Sequence, residues 1–560
     1  MIADLKDSII SAVKKAGYDA PAGFELEAPP NDEMGDFSTN VAMTVAGKNG
    51  GDPKGIADKI IKNIDFLDLE KAEIAGPGFI NIKLNDGFFH QVLISILKVG
   101  SDFGKSNEGR GKKVLVEYIS ANPTGPLHIG NARGGPIGEA LSNVLSWLGY
   151  EVEREFYIND SGSQIDKFGR TLAYYFIVKK DPDFHFPEDG YPGEFLKKIS
   201  EEIQREHKTE IEALKDNELT EFFIRYGLDL TIRRIKNDVE TLGAHFDRYI
   251  YESDFLSSGA SQKVVEKLQE NGKTSEKEGA IWFSSPENSD LSDRECVLVR
   301  SDAEKTPTYF STDIAYHKDK FDRGNQLLID IWGPNHHGHI ARLKAALQAL
   351  GYNPEKLEIL LYQNVKLKSD GKAKQMGKRL GNFVNIADLV GKMKVPADVF
   401  KYMVISQNMS SIIEFDLDLA LLQSEKNPVY YLQYAYARIC SVLRKVQTET
   451  LDEVEKIARG EVSVKEEELK VLTDKKELKL IKTLLQLPLV LQKTTGDFQI
   501  QTLPHFTTGV AKSFHDFYSS CQILSEEKKL TQARLLLLLA TRNVLKICLT
   551  LMGISAPEKM

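Results

Sequence analysis

A chain of 560 residues, 42% hydrophobic and 27% charged, is too long for one core and apolar enough for several, so three or four domains are expected. Its formal net charge of −9 neither demands nor excludes nucleic acid, which needs only a local basic face. Four scattered cysteines, Cys296, Cys440, Cys521 and Cys548, argue against a disulfide framework or a cysteine-ligated zinc and fit a reducing cytoplasm.

The N-terminus lacks the basic region, apolar core and small-residue cleavage site of a secretory leader. Ile2, Leu5, Ile9, Ile10 and Val13 follow a helical period instead. Residues 1–108 read as a small α+β domain. In it, Asp52 and Pro53 open a helix carrying Ile56, Ile60, Ile61 and Ile64, and "FINIKL" alternates as a half-buried strand. The polar stretch "GKSNEGRGKK" reads as a linker.

A strand, "VLVEYI", follows it, then the turn "ANPTGPLHIGNARGG" and a helix bearing Ile137, Leu141, Val144, Leu145 and Leu148. Strand, glycine-bearing turn and helix form the phosphate-binding half of a Rossmann-type parallel α/β sheet. "LLIDIWG" and "EILLYQNVKL" resume that sheet, so residues 109–395 form one domain with an insertion at about 160–300. From 396 to 560 helical patterns dominate and imply an α-helical bundle. The longest apolar run, Leu535 to Ala540, is too short to cross a membrane. The expected fold class is therefore α/β multidomain: N-terminal α+β domain, Rossmann-type core with insertion, and C-terminal bundle.

Two stretches carry chemistry. His128-Ile129-Gly130-Asn131 stands at a helix entrance, where free N–H groups attract phosphate. "KAKQMGKRLGN" is a cationic, glycine-bearing loop after the last strand, and its Lys378 can close on a triphosphate; a solvated basic loop is the bland alternative. A third cluster, "HHGH" (His336, His337, His339), has no cysteine or carboxylate close in sequence to complete a zinc site, and no protein-bound metal is expected.

Together these resemble the "HIGH" and "KMSKS" elements of class I aminoacyl-tRNA synthetases. The resemblance narrows to arginyl-tRNA synthetase through "PPNDEMGDFSTNVAM", "YISANPTGPLHIGNARGG", "FYINDSGSQID", "YFSTDIAYH", "WGPNHHGHIARLKAAL", "MGKRLGNFV", "NPVYYLQYAYARI" and the terminal "LMGISAPEKM", and it spans essentially the full length. It implies an arginine–tRNA ligase that uses ATP with Mg2+ to form arginyl-adenylate and passes the arginyl group to the terminal adenosine of its tRNA. By the same resemblance the N-terminal domain contacts tRNA, the bundle reads the anticodon, and the protein is a cytoplasmic monomer.

The resemblance also assigns residues. His128, Asn131 and Lys378 are the catalytic candidates, and Thr124, His128, Gly130, Gly333, His336, Met376 and Lys378 border ATP. Glu117 and Asn122 hold the α-amino end of arginine, and Tyr309 and Asp313 its guanidinium, which a carboxylate grips in a fork. In the helical region Tyr434 and Arg438 are the tRNA candidates, although the spacing of Tyr430, Tyr431, Tyr434 and Tyr436 also suits core packing. Three positions depart from the family pattern: Asn131 replaces a second histidine, Gln375 a lysine and Gly377 a serine. The rival readings are another class I synthetase, a nucleotidyltransferase of the same superfamily acting without tRNA, and a tRNA-binding regulator with a decayed site.

Overall fold

The computed structural model describes all residues except 1, 22, 30, 285–295, 304, 335–336, 370–371, 375–383 and 463–465. A five-stranded parallel sheet organises its centre. Its strands are β1 (Lys113–Glu117), β2 (Glu151–Ile158), β3 (Arg248–Tyr251), β4 (Leu327–Trp332) and β5 (Leu357–Leu361), in the order β5-β4-β1-β2-β3. Chain order reverses beside β1, so the crevice for a ligand opens at the carboxyl ends of β1 and β4.

Helix α1 (Gly134–Trp147) connects β1 to β2; Leu148 and a left-handed Gly149 end it. Helices α2 (Ser163–Ile177) and α3 (Asp216–Thr241), with the segment between them, build a separate apolar cluster around Phe168, Leu172, Ile199 and Phe223. The expected insertion is therefore not continuous, because β3, at 248–251, belongs to the main sheet. A three-stranded antiparallel sheet within residues 274–299 resumes the excursion. The stretch read as a single strand, "EILLYQNVKL", divides between β5 and a strand at Val365–Ser369 in another sheet. Helices α4 (Tyr309–Asp322) and α5 (His337–Ala349) flank β4.

The N-terminal residues form a four-stranded sheet with helices, in which Ile80, Ile82 and Leu84 of "FINIKL" point inward as the alternation requires. After α6 (Ala397–Ile405) the chain is nearly all helical; α7 (Pro428–Leu443) and α8 (Lys528–Leu551) pack with Thr502–Ser520. Asn427 caps α7 and Pro428 occupies its first turn. Among the described residues no helix is long and apolar enough to cross a membrane.

Helix α1 approaches β1 closely because glycine lines its face. A Cβ on Gly138 would stand 2.2 Å from the ring of Tyr118, which is itself fully buried and donates its hydroxyl to the carbonyl of His245. Gly138→Ala is expected to destabilise the protein by roughly 1–3 kcal/mol through overpacking. Urea unfolding followed by far-UV circular dichroism measures it, and an unchanged midpoint refutes the close approach.

Candidate active site

Strand β1 ends in a backbone that few residues tolerate. Ile119 (φ 66°) and Ser120 (φ 40°) are both left-handed, and a β-branched residue there is strained. Helix α1 leaves room for this turn: a Cβ on Gly134 would lie 3.1 Å from the Ile119 nitrogen, and one on Gly135 3.1 Å from its Cδ1. The turn brings the Ser120 hydroxyl to Glu117 (2.7 Å) and lets it accept from the Tyr157 amide. The chain then runs through Asn122, whose amide donates to Gln164 on α2, and the half-buried Thr124 to His128.

His128 caps the short helix Ile129–Ala132: its Nδ1 accepts from the Asn131 amide at 3.2 Å. An accepting Nδ1 bears no proton, which places the ring hydrogen on Nε2. Gly130 is required by that ring, because a Cβ would meet its Cε1 and Nδ1 at 3.0 Å. Asn131 serves through its backbone: its N–H is the capped group, and its carbonyl accepts from Tyr362 at 3.3 Å.

The signature turn is paired with the far end of the basic loop. The Ile129 amide donates to Val384 and the Ile386 amide to Leu127, each at 3.0 Å, so His128 faces Asn385 as in an antiparallel ladder. Two stretches far apart in sequence are thus one local structure. Lys378 and Met376, expected on that loop, and His336 lie outside the described residues. Gly333 directly follows β4, with Tyr362 the nearest side chain to it.

Next to the turn, Arg133 is completely buried. It donates to the carbonyls of Gln363 (2.5 Å), Ser411 (2.8 Å) and Asn408 (3.0 Å). Burial pulls its pKa down to about 10 against the influence of Tyr362, so it remains cationic at neutral pH.

The arginine candidates follow one face of α4, where Tyr309, Asp313, His317 and Lys320 recur at helical spacing. Exposure falls along it: Tyr309 is 68% exposed, the Asp313 side chain 22%, and His317 and Lys320 0%. Asp313 accepts from His339 at Oδ2 (2.5 Å) and pairs with His317 through Oδ1 (3.1 Å). Burial opposes ionisation of Asp313, but the two histidines prevail and hold it well below the usual carboxylate range. It is therefore a carboxylate at any physiological pH.

Both ring nitrogens of His317 meet only acceptors. Nδ1 faces the Asp313 carbonyl at 2.8 Å and Nε2 faces Asp330 at 2.7 Å. Each must carry a proton, which makes the ring an imidazolium. Against burial and the nearby Lys320, Asp313 and Asp330 raise its pKa to about 10.

Below it, Glu117, expected to hold the α-amino end of arginine, is 4% exposed and accepts from Ser120, Tyr316 (3.1 Å) and Lys320 (2.5 Å). Glu117, His317 and Asp330 lie close enough together to ligate a metal, but the Lys320 ammonium already bonds two of them, 2.5 Å from Glu117 and 2.8 Å from Asp330.

A second acid joins Asp313 from an element that the sequence reading assigned to the insertion. Glu252 directly follows β3, is 5% exposed and accepts from Ser161 at 2.6 Å. Burial raises its pKa, with repulsion from Asp160 and Asp313 adding to the rise. Tyr157 of β2 is near enough to both acids to feel their charge and is stacked on Tyr316 at 4.4 Å. Glu252 follows β3 at the same carboxyl edge of the sheet from which β1 runs into the signature turn. The available signal was "IYESD", an acid immediately beyond a short strand.

In the bundle, Tyr436 is buried as core, whereas Tyr430, Tyr431 and Tyr434 are half-buried. Arg438 donates to the hydroxyls of Tyr434 and Tyr518, and its guanidinium stands 5.0 Å from the centre of each ring. Tyr434 also stacks with Tyr430 and His515. The result is a preorganised aromatic and cationic platform.

The imidazolium assignment has a pH signature. The folded pKa of His317, about 10, lies above the ordinary ~6.5, so its stabilisation is complete below ~6.5 and is lost as pH rises through 10. His317→Gln should cost roughly 3–5 kcal/mol at the acid end of this range. The deficit relative to wild type should shrink toward the alkaline end. Denaturant melts of both proteins across the range test this, and a pH-independent deficit rules the cation out.

Comparison with known proteins bears on this arrangement. Three family models match: the arginyl tRNA synthetase N terminal domain over residues 3–84, the tRNA synthetases class I (R) catalytic domain over 92–412, and the DALR anticodon binding domain over 432–560. An arginine–tRNA ligase of Ruminiclostridium cellulolyticum is 41% identical, with 96% of this chain and 93% of the relative covered. One from Caldanaerobacter subterraneus subsp. tengcongensis is 38% identical over 100% of this chain and 98% of its own length. Thermus thermophilus arginyl-tRNA synthetase shares the fold, with a TM-score of 0.77 at 20% identity over the whole of both chains. With its signature turn, its pair of pocket acids and these matches along nearly all of its length, the chain belongs to the arginyl-tRNA synthetase family.

Proposed function

We propose that this enzyme activates L-arginine with ATP and Mg2+, and transfers the arginyl group to the terminal adenosine of its tRNA, with the following division of labour. The observation that supports it is the pair of buried carboxylates, Asp313 and Glu252, close enough for their charges to interact, with Glu252 at the carboxyl edge of the sheet whose β1 leads into the turn bearing His128. A guanidinium is planar, cationic and rich in donors, and two carboxylates flanked by tyrosine hydroxyls suit it. Asn122 takes the α-amino end of the substrate. His128 donates from Nε2 to the phosphates, and Thr124, Gly333, His336 and Met376 border the nucleotide.

No side chain needs to act as a nucleophile. The arginine carboxylate attacks the α-phosphate and pyrophosphate leaves; the tRNA hydroxyl then attacks the adenylate and AMP leaves. The protein's part is to align reactants and stabilise the charge that develops on phosphate. Lys378 supplies positive charge there. The Asn131 backbone fixes the His128 ring through its amide, a function that any residue but proline can perform at that position. This supports a working variant of the signature over a decayed one.

Tyr434 and Arg438 form the platform for tRNA in the bundle, and the N-terminal domain gives tRNA a second contact. Residues 1–108, 109–395 and 396–560 serve as the functional units. The protein acts in the cytoplasm as a monomer, a reading that rests on family resemblance.

Asp313→Asn and Glu252→Gln should each raise the KM for arginine by a factor of about a hundred or more, since breaking a buried charge pair costs roughly 3–5 kcal/mol. The KM for ATP should stay within about twofold. Pyrophosphate exchange at saturating tRNA measures both, and an unchanged arginine KM places the guanidinium elsewhere. Arg438→Ala should weaken tRNA about tenfold, in line with ~1–3 kcal/mol per lost stacking contact. It should also flatten the salt dependence of binding. Filter binding at several salt concentrations tests this, and a variant matching wild type moves tRNA off this platform.

A further inference from the structure

Both oxygens of the Asp313 carboxylate already have protein partners. Oδ1 belongs to the His317 imidazolium and Oδ2 to His339. A guanidinium fork arriving at Asp313 therefore competes with both of them for the lone pairs of the carboxylate. The two are not equally replaceable. His317 is completely buried and bonded through both nitrogens, so its departure would also take from the buried Asp330 one of its two cationic partners. His339 makes a single bond to the carboxylate, through Nε2, and its side chain is 14% exposed. It lies in the first turn of α5 rather than within a packed helix. Its ring stands among the aromatic groups Tyr309 (6.3 Å between centroids), Phe310 (5.4 Å) and Trp332 (6.1 Å). Those rings give it a surface on which to slide without entering bulk water.

We propose that His339 is an exchangeable placeholder for the substrate: it donates to Asp313 until arginine enters, and the guanidinium displaces it. This rests on the reading of Asp313 as the guanidinium ligand. The exchange keeps a buried carboxylate partnered throughout, so the pocket never holds an uncompensated charge. It also carries information. When His339 leaves, the first turn of α5 loses its tie to α4, and that turn closely follows Gly333 at the nucleotide side of the crevice. Arginine occupancy is thereby reported to the ATP side by the loss of one hydrogen bond.

The test compares His339→Phe, which keeps an aromatic ring but has no donor, with His339→Gln, which keeps a donor. L-arginine is titrated calorimetrically into the full-length protein without ATP or tRNA, and thermal midpoints are recorded with and without arginine. His339→Phe should bind arginine about tenfold more tightly, the scale of one hydrogen bond to a charged group. Its midpoint without arginine should fall below wild type, and arginine should restore it. His339→Gln should bind close to wild type. Loss of a merely structural contact would weaken arginine instead, so weaker or unchanged binding in His339→Phe overturns the exchange. Asp313→Asn separates the two readings. If it binds arginine like wild type, the guanidinium assignment fails and the exchange falls with it. If it loses arginine while His339→Phe gains nothing, only the exchange is refuted.

Discussion

Three acids stand side by side across the middle of the sheet, and the rest of the catalytic region is arranged to neutralise them. Asp330 of β4, Glu117 of β1 and Glu155 of β2 are in register and essentially without exposure. Helix α4 lays a matching row over them. His317 meets Asp330, Lys320 meets Asp330 and Glu117, and Arg323, at the helix end, meets Glu155. Removing one member of such an array costs far more than the array contributes over an apolar core, because the survivors stay buried and unpaired. What the array provides is specification. It fixes the rotation and height of α4 over the sheet, and hence the position of Asp313 one turn above its floor. The placement of the carboxylate proposed to hold the substrate is here inherited from the charge pairing beneath it.

The signature turn obeys a different constraint, that of space. Gly130 clears the His128 ring, Gly134 and Gly135 clear Ile119, and Gly138 clears Tyr118. These glycines let a left-handed strand end, a capped histidine and a helix start occupy one small volume. Asn131 is tolerable within it because the work at that position described above is done by main-chain atoms. A side chain can then vary without disturbing the histidine that precedes it.

Much of this was legible in the sequence. The helix entrance at His128 followed from the glycines and the apolar period after them, and Asp313 followed from the resemblance. The floor of the pocket was not legible. Asp313, His317 and Lys320 recur at intervals of four and three, which marks one helical face, but charged residues there read as a solvated surface. Only the acids on neighbouring strands show that this face turns inward. Glu252 escaped for another reason: β3 is four residues long and carries Arg248, so it lacks the apolar run that identifies a buried parallel strand. Glu117 is assigned by the resemblance, and of its three donors only Ser120 is near it in sequence, so the bonds from Tyr316 and Lys320 of α4 leave no local sign. The loop around Lys378 was recognised by its charge, its glycines and the resemblance, whereas the pairing of the segment just after it, Val384 to Ile386, with the signature turn resides in backbone bonds that no side-chain pattern encodes.

Arg133 changes what counts as a boundary in this molecule. Composition suggests dividing the chain near residue 396, where helical patterns take over. Two of the three carbonyls that receive its guanidinium, those of Asn408 and Ser411, lie beyond that division. A fragment ending there would keep the signature turn but leave a buried cation with one acceptor where it has three. The catalytic region is thus not autonomous at its compositional edge. The first stretch past that edge is bolted from within to the residue directly behind the signature turn, so any displacement of one is felt by the other.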